Sequence, residues 1–234
     1  MAGTQIDIRA ADGGKFRGYL CLPRSGKGPG LVVEQEIFGI NENVRLVCEH
    51  YANQGFIALA PDLFWRLQPN VDLGYSPEEW QKAFDFMKRF DIDKGIEDVG
   101  ATIKQLRAMK ECTGKVGAIG YCLGGKLAYL TAARTDVDCA VAYYGVGLDQ
   151  NLNEKGKIGK PLMMHIAEKD KFVPPEAQAK IKAGLKDMKN VEIHSYPGVD
   201  HAFARINGDH FDANAAELAN KRTLDFLKKH LMAR

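Results

Sequence analysis

Apolar and polar residues alternate over residues 5–9 and again over 15–22, on either side of the turn Asp12-Gly13-Gly14. Successive side chains of a strand point to opposite faces, so a period of two flanking a glycine turn predicts an antiparallel hairpin. Beyond a loop at 23–29 the pattern changes to short apolar runs at 31–33, 56–60, 116–119, 140–144, 162–166 and 191–196, separated by amphipathic stretches of helical length. Uninterrupted apolar runs suit strands buried on both sides. Their alternation with helices predicts an α/β fold: a mainly parallel sheet with helices on both faces. Helices are expected near 42–53, 92–109, 124–134, 175–188 and 213–231. The sharpest start signal is Ser76-Pro77-Glu78-Glu79, where a cap, a first-turn proline and a glutamate three residues after the cap coincide. The irregular stretch 64–75 is the longest loop of the βα series, and such loops commonly border active sites.

The chain has 234 residues, of which 45% are hydrophobic and 26% charged, with no repeat, low-complexity segment or linker, so a single domain spanning 1–234 is expected. Lys and Arg (32) barely exceed Asp and Glu (30) and are dispersed, which argues against a nucleic-acid partner. No apolar stretch reaches the roughly 18–20 residues of a spanning helix, and residues 1–10 lack a signal-peptide apolar run. A cytoplasmic protein without a membrane partner, monomeric or at most dimeric, acting on a small molecule, is the expectation.

Five cysteines, Cys21, Cys48, Cys112, Cys122 and Cys139, are an odd number without paired spacing, so disulfide stapling is not expected. Cys48 and Cys139 fall in a predicted helix and strand and read as packing residues. Cys122 differs. It lies in Gly120-Tyr121-Cys122-Leu123-Gly124-Gly125, between the apolar run 116–119 and the helical run 126–134. Strand, sharp turn and helix with this pattern match a nucleophile elbow in which cysteine stands in the serine position. By itself the glycine pair fits tight packing or a phosphate cradle equally well.

Two later residues add weight. Asp170 follows the run 162–166, and His201 follows the run 191–196. Nucleophile, acid, histidine is the chain order of α/β-hydrolases, with each group after a strand, where open α/β sheets gather ligands. A free thiol with pKa ~8.5 is lowered by a helix N-terminus and an imidazole. Cys122 could then attack an acyl carbon. His201 would handle the proton, and Asp170 would fix its tautomer. The backbone N–H groups of Leu123 and Ile37 are the candidate oxyanion donors. His50, His165, His194, His210 and His230 show no metal-ligand spacing, so no metal or cofactor is expected.

Gln35-Glu36-Ile37-Phe38-Gly39, Pro61-Asp62-Leu63-Phe64, the elbow, Tyr143-Tyr144-Gly145 and His201-Ala202-Phe203-Ala204-Arg205 together resemble the dienelactone hydrolase family of the α/β-hydrolase fold. The resemblance implies a metal-free carboxylic ester hydrolase that opens an unsaturated, carboxylate-bearing lactone. It also implies that Glu36 contacts the cysteine and takes its proton when substrate arrives, and that Arg205 pairs with the substrate carboxylate. Tyr144 joins Arg205 as a candidate substrate contact.

One departure bears on the substrate. The family carries a second substrate-binding arginine in the helix beginning at Pro77, yet residues 77–87 contain none, and Trp80 stands near its place. Trp80 and Phe84, four apart, could line a larger or less anionic acyl pocket. A general esterase or thioesterase of the same fold is therefore the alternative. A non-catalytic relative that binds a small ligand is a third reading, and an acyl-enzyme burst would separate it from the enzymes.

Overall fold

The computed structural model describes residues 3–232, so Met1 and Ala2 of the chain start read above lie outside the described residues. The chain divides after Ala118 into two compact units. In the first, the alternating stretches pair as the pattern predicts: β1 (Thr4–Arg9) and β2 (Lys15–Cys21) run antiparallel, with Ile8 opposite Phe16 and Asp7 opposite Arg17. Ile8 and Phe16 are buried whereas Asp7 and Arg17 are exposed, so one face of the hairpin packs and the other meets water. On its other side β2 pairs antiparallel with β4 (Ile57–Pro61), and β4 pairs parallel with β3 (Gly28–Glu34). Every residue of β3 and β4 is buried, which is why neither strand alternates. Gly28 and Pro29, read from sequence as loop, open β3. Pairing with β4 starts only at Gly30, so the missing proline N–H breaks no bond to that strand.

Three helices complete this unit: α1 (Glu42–Asn53), α2 (Pro77–Arg89) and α3 (Ile92–Ala108). Each starts at a side-chain cap. Asn41 accepts from Val44 N–H, Asp91 from Lys94 N–H, and Ser76 and Glu79 form a reciprocal capping box. Such caps contribute about 1 kcal/mol each by satisfying helix-start donors that have no intrahelical acceptor. Cys48 lies buried in α1, where desolvation raises its thiol pKa well above the ordinary value.

The loop 64–75 is held at several points. Asp62 accepts from Phe64 N–H at 3.2 Å and Asn70 N–H at 2.7 Å, and the Arg66 guanidinium grips both oxygens of buried Asp98 at 2.8 and 2.9 Å. Burial raises the Asp62 pKa against these hydrogen bonds. The loop also closes on the chain after β3: Leu73 N–H donates to Phe38 and Ile40 N–H to Val71. Gly39 is required there, since its φ is 75° and a Cβ would strike the Val71 carbonyl at 1.9 Å.

β5 (Cys112–Tyr121) begins in the first unit and ends in the second. The second unit continues with α4 (Leu123–Arg134), β6 (Cys139–Tyr143), a 3-10 stretch (Leu148–Lys157), β7 (Leu162–Ala167), α5 (Pro175–Leu185), β8 (Val191–Tyr196) and α6 (Ala213–Leu227), which closes in a π turn (Lys228–Met232). β6, β7 and β8 pair in parallel in that order. Cys139 is buried in β6. α4 starts one residue earlier than its pattern suggests, and α5 and α6 stop three and four residues earlier. The 3-10 stretch is absent from the sequence reading because it has no apolar period. Polar contacts hold it instead: Glu154 accepts twice from Arg134, at 2.6 and 2.9 Å, and once from Lys157, which brings its carboxyl to about 2. Among the described residues, no helix is long and apolar enough to cross a membrane.

Candidate active site

The end of β5 passes directly into α4 through Cys122, the N-cap residue, with φ 58° and ψ −115°. A non-glycine residue held there costs of order 1–3 kcal/mol, so its surroundings must fix it. They do so through the backbone. Cys122 N–H donates to the Tyr143 carbonyl at 3.1 Å, and the Cys122 carbonyl accepts from Gly125 at 3.0 Å and from Lys126 and Val146 at 3.3 Å. Gly125 and Gly145 make this approach possible. A Cβ on Gly125 would meet the Tyr143 carbonyl oxygen at 2.2 Å, and one on Gly145 would meet the Gly125 backbone at 2.8 Å. Cys122 has only 6% of its surface exposed. Leu123, the first residue of α4, has no intrahelical acceptor for its N–H, as a candidate oxyanion donor requires.

Asp170 follows β7 and is buried. Its Oδ1 accepts from the N–H groups of Phe172 and Val173 at 2.8 and 3.1 Å, which leaves Oδ2 to face His201 Nδ1 at 2.8 Å. His201 follows β8, and its own N–H donates to Asp200 at 2.7 Å. Its ring lies edge-on to Tyr144, with centroids 5.0 Å apart, and to Phe172 at 4.9 Å. Burial works against a charge on this ring. Together the Cys122 charge, the Asp170 hydrogen bond, the Cys122 side chain and the Asp170 charge outweigh that penalty, and the imidazole pKa rises from 6.5 to about 10. Nε2 is buried and makes no hydrogen bond of ordinary geometry, so Cys122 acts on the ring chiefly through charge. The cysteine and the buried carboxylate thus both favour the charged form of the imidazole.

The second unit thus brings together Asp170 and His201, sets Tyr144 against the histidine ring, and couples Cys122 to that ring electrostatically. Tyr144 has φ 38°, which takes it out of extended backbone and ends β6 one residue before the apolar run does, while its N–H still donates to the His165 carbonyl at 2.9 Å. Arg205 is only 7% exposed, which excludes a solvated surface arginine. In the first unit, Glu36 is 1% exposed and Ile37 is also buried, so Glu36 is no solvated loop carboxylate. Trp80 is half-buried on α2, edge-on to Phe38 at 4.8 Å and 5.5 Å from Phe84, itself 36% exposed. Phe172 and Asp200 escaped the sequence reading. Both flank motif residues, and neither residue type announces a role at its position.

The model of the dienelactone hydrolase family matches residues 16–231. A candidate carboxymethylenebutenolidase from Azospirillum brasilense is 48% identical over 231 residues, covering 97% of this chain and 99% of its own. Carboxymethylenebutenolidase 1 of Cupriavidus pinatubonensis is 38% identical, covering 97% of both chains. The crystal structure of a candidate dienelactone hydrolase from Klebsiella pneumoniae superposes with a TM-score of 0.84 at 22% identity, covering 98% of this chain and 100% of that one. That last likeness gives the α/β-hydrolase fold, with its mostly parallel strands and antiparallel first pair.

Proposed function

The chain belongs to the dienelactone hydrolase family and is an ester or lactone hydrolase of that type, and from that premise we propose that it opens unsaturated lactones and activated esters with a Cys122-His201-Asp170 triad. The observation that carries the reading is the His201–Asp170 bond of 2.8 Å next to a cysteine on a positive-φ elbow. The match over residues 16–231 supports treating the whole chain as one catalytic domain.

The Cys122 thiolate attacks the acyl carbon, and the carbonyl electrons move to oxygen, which the Leu123 and Ile37 N–H groups stabilise. Collapse of this intermediate breaks the acyl–oxygen bond. His201 gives its Nε2 proton to the departing oxygen, leaving a thioester on Cys122. Neutral His201 then takes a proton from water as that water attacks the thioester, and the thiolate leaves as the carboxylic acid forms. Asp170 keeps Nδ1 protonated throughout, so Nε2 is the atom that trades protons. Glu36 takes the thiol proton as substrate arrives and returns it to the Cys122 sulfur when the product acid leaves, while His201 enters the cycle already protonated. Arg205 pairs with an anionic substrate group, and Trp80 and Tyr144 line the acyl site.

A general esterase or thioesterase remains the second reading, favoured by Trp80 where the family has an arginine. The test compares kcat/KM for a dienelactone, p-nitrophenyl acetate and the matching p-nitroanilide, in wild type and Cys122→Ala. Loss of turnover in the variant, with both oxygen esters cleaved far faster than the anilide, is expected. Full activity in Cys122→Ala would overturn the triad. An aryl ester preferred over the lactone would assign the chain to general esterases.

A further inference from the structure

Behind the elbow, in the second unit, lies a chain of buried polar side chains that the proposed reaction does not use. Arg222 Nη1 of α6 donates to Tyr196 Oη of β8 at 3.2 Å. Tyr196 Oη meets His165 Nδ1 at 2.8 Å, His165 Nε2 meets Thr223 Oγ1 at 2.8 Å, Thr223 Oγ1 meets Tyr143 Oη at 2.7 Å, and Tyr143 Oη donates to Asn220 Oδ1 at 3.0 Å. His165, Thr223, Tyr143 and Tyr196 are all buried.

The chemistry of these groups orders the chain in one direction. Arg222 can only donate, so Tyr196 accepts from it. The Tyr196 hydroxyl proton, buried with no other acceptor, must then go to His165 Nδ1. His165 therefore carries its proton on Nε2 and donates to Thr223, whose own proton goes to Tyr143, and Tyr143 donates to Asn220. Burial first, then the charges of His194 and Arg222, hold the His165 pKa well below its usual value, so the ring stays neutral. A chain with every donor satisfied in one sense is stiff, because reversing one link orphans a buried group elsewhere.

Two residues of this chain also hold the elbow through their backbones. The Tyr143 carbonyl accepts Cys122 N–H at 3.1 Å, and the His165 carbonyl accepts Tyr144 N–H at 2.9 Å, where Tyr144 carries φ 38° and packs against His201. We infer that the Tyr196-His165-Thr223-Tyr143 chain is a positioning device which, by fixing β6 and β7, holds Cys122 and the Tyr144–His201 contact in reactive geometry. The inference rests on Cys122 being the nucleophile.

Thr223→Val keeps the shape of the side chain and removes the hydroxyl that serves both His165 and Tyr143, whereas Thr223→Ser keeps that hydroxyl. Thr223→Val is expected to lower kcat for p-nitrophenyl acetate roughly tenfold with KM within about twofold, and to slow carboxymethylation of Cys122 across the pH profile, while Thr223→Ser restores both. If Thr223→Val loses melting temperature but keeps kcat and the alkylation profile of wild type, the positioning role is wrong. Should Thr223→Val fail to fold, Tyr196→Phe opens the other end of the chain and is read the same way. Independently, ¹⁵N-edited spectra of wild type should show His165 neutral, with its proton on Nε2, from pH 5 to 9. A proton on Nδ1 would overturn the ordered chain. Wild-type turnover that survives Cys122→Ala would instead sink the nucleophile assignment on which the inference rests.

Discussion

At the residue scale, the site turns on the charge of one imidazole. Folding raises the His201 pKa from 6.5 to about 10, against its own burial and chiefly through the Cys122 charge. A raised pKa means that the protonated ring contributes stability that is complete below the unfolded value and is lost as pH climbs through about 10. The melting temperature of wild type should therefore fall over that window, and Cys122→Ala, which lacks the largest raising influence, should fall less. NMR titration of the His201 ring checks this directly: wild type stays charged well above pH 7 and Cys122→Ala does not. Equal titration in the two proteins would refute the coupling of the His201 ring to Cys122. Arg205 sets a second expectation. Arg205→Ala should raise KM for anionic esters about tenfold or more while changing neutral aryl esters by about twofold or less, because a guanidinium pairs with a carboxylate but gives little to a neutral acyl group. An equal loss on both substrate types would make Arg205 a packing residue.

At the scale of elements, the loop 64–75 is anchored by charge as well as by apolar contact. Asp98 is 1% exposed at its side chain and accepts from Arg66 twice and from Trp65 Nε1. Arg66→Ala leaves that carboxylate buried with one donor, and it should destabilise the protein by about 3 kcal/mol, measured by urea unfolding. The exposed Lys94–Glu97 pair is the contrast, and Lys94→Ala should leave the unfolding midpoint within error. A small loss for Arg66→Ala would mean that water already reaches Asp98. Which elements exist was legible wherever periodicity was strong. The alternation of β1 and β2, the apolar runs of β3 to β8 and the Ser76 capping box each have one local cause, and each element formed where that cause lies. Elements held by distant partners were not legible. The 3-10 stretch depends on Arg134, twenty residues before Glu154, and no local pattern marks the positive φ that takes Tyr144 out of β6. Of the candidate site, the residues in motifs could be read, and Asp170 and His201 meet at bonding distance. Phe172, Asp200 and the His165 chain could not be found, because tertiary pairing alone gives those ordinary residues their places.

At the scale of the whole molecule, family membership, the α/β-hydrolase fold and the geometry of the second unit converge on ester or lactone hydrolysis. On the proposed mechanism, the choice of sulfur sets which bonds are broken. When the tetrahedral intermediate collapses, the better leaving group departs, and a thiolate outcompetes an amine unless that amine is protonated first. Enol and phenol oxygens need little help from His201 to leave, so that mechanism predicts that lactones and aryl esters go forward while amide attack reverses. The sequence shows no metal-ligand spacing, and among the described residues no group of three or more His, Cys, Asp or Glu could hold an ion. The rate should accordingly be unchanged after dialysis against EDTA, whereas a loss restored by Zn²⁺ would contradict a reaction carried by side chains alone. On the proposed mechanism, a covalent acyl group passes through Cys122. Acid-quenching the enzyme during turnover of p-nitrophenyl acetate, followed by peptide mass mapping, should find one acetyl group on the Cys122 sulfur, whereas an acetyl group on any other residue, with Cys122 unmodified, would rule this nucleophile out.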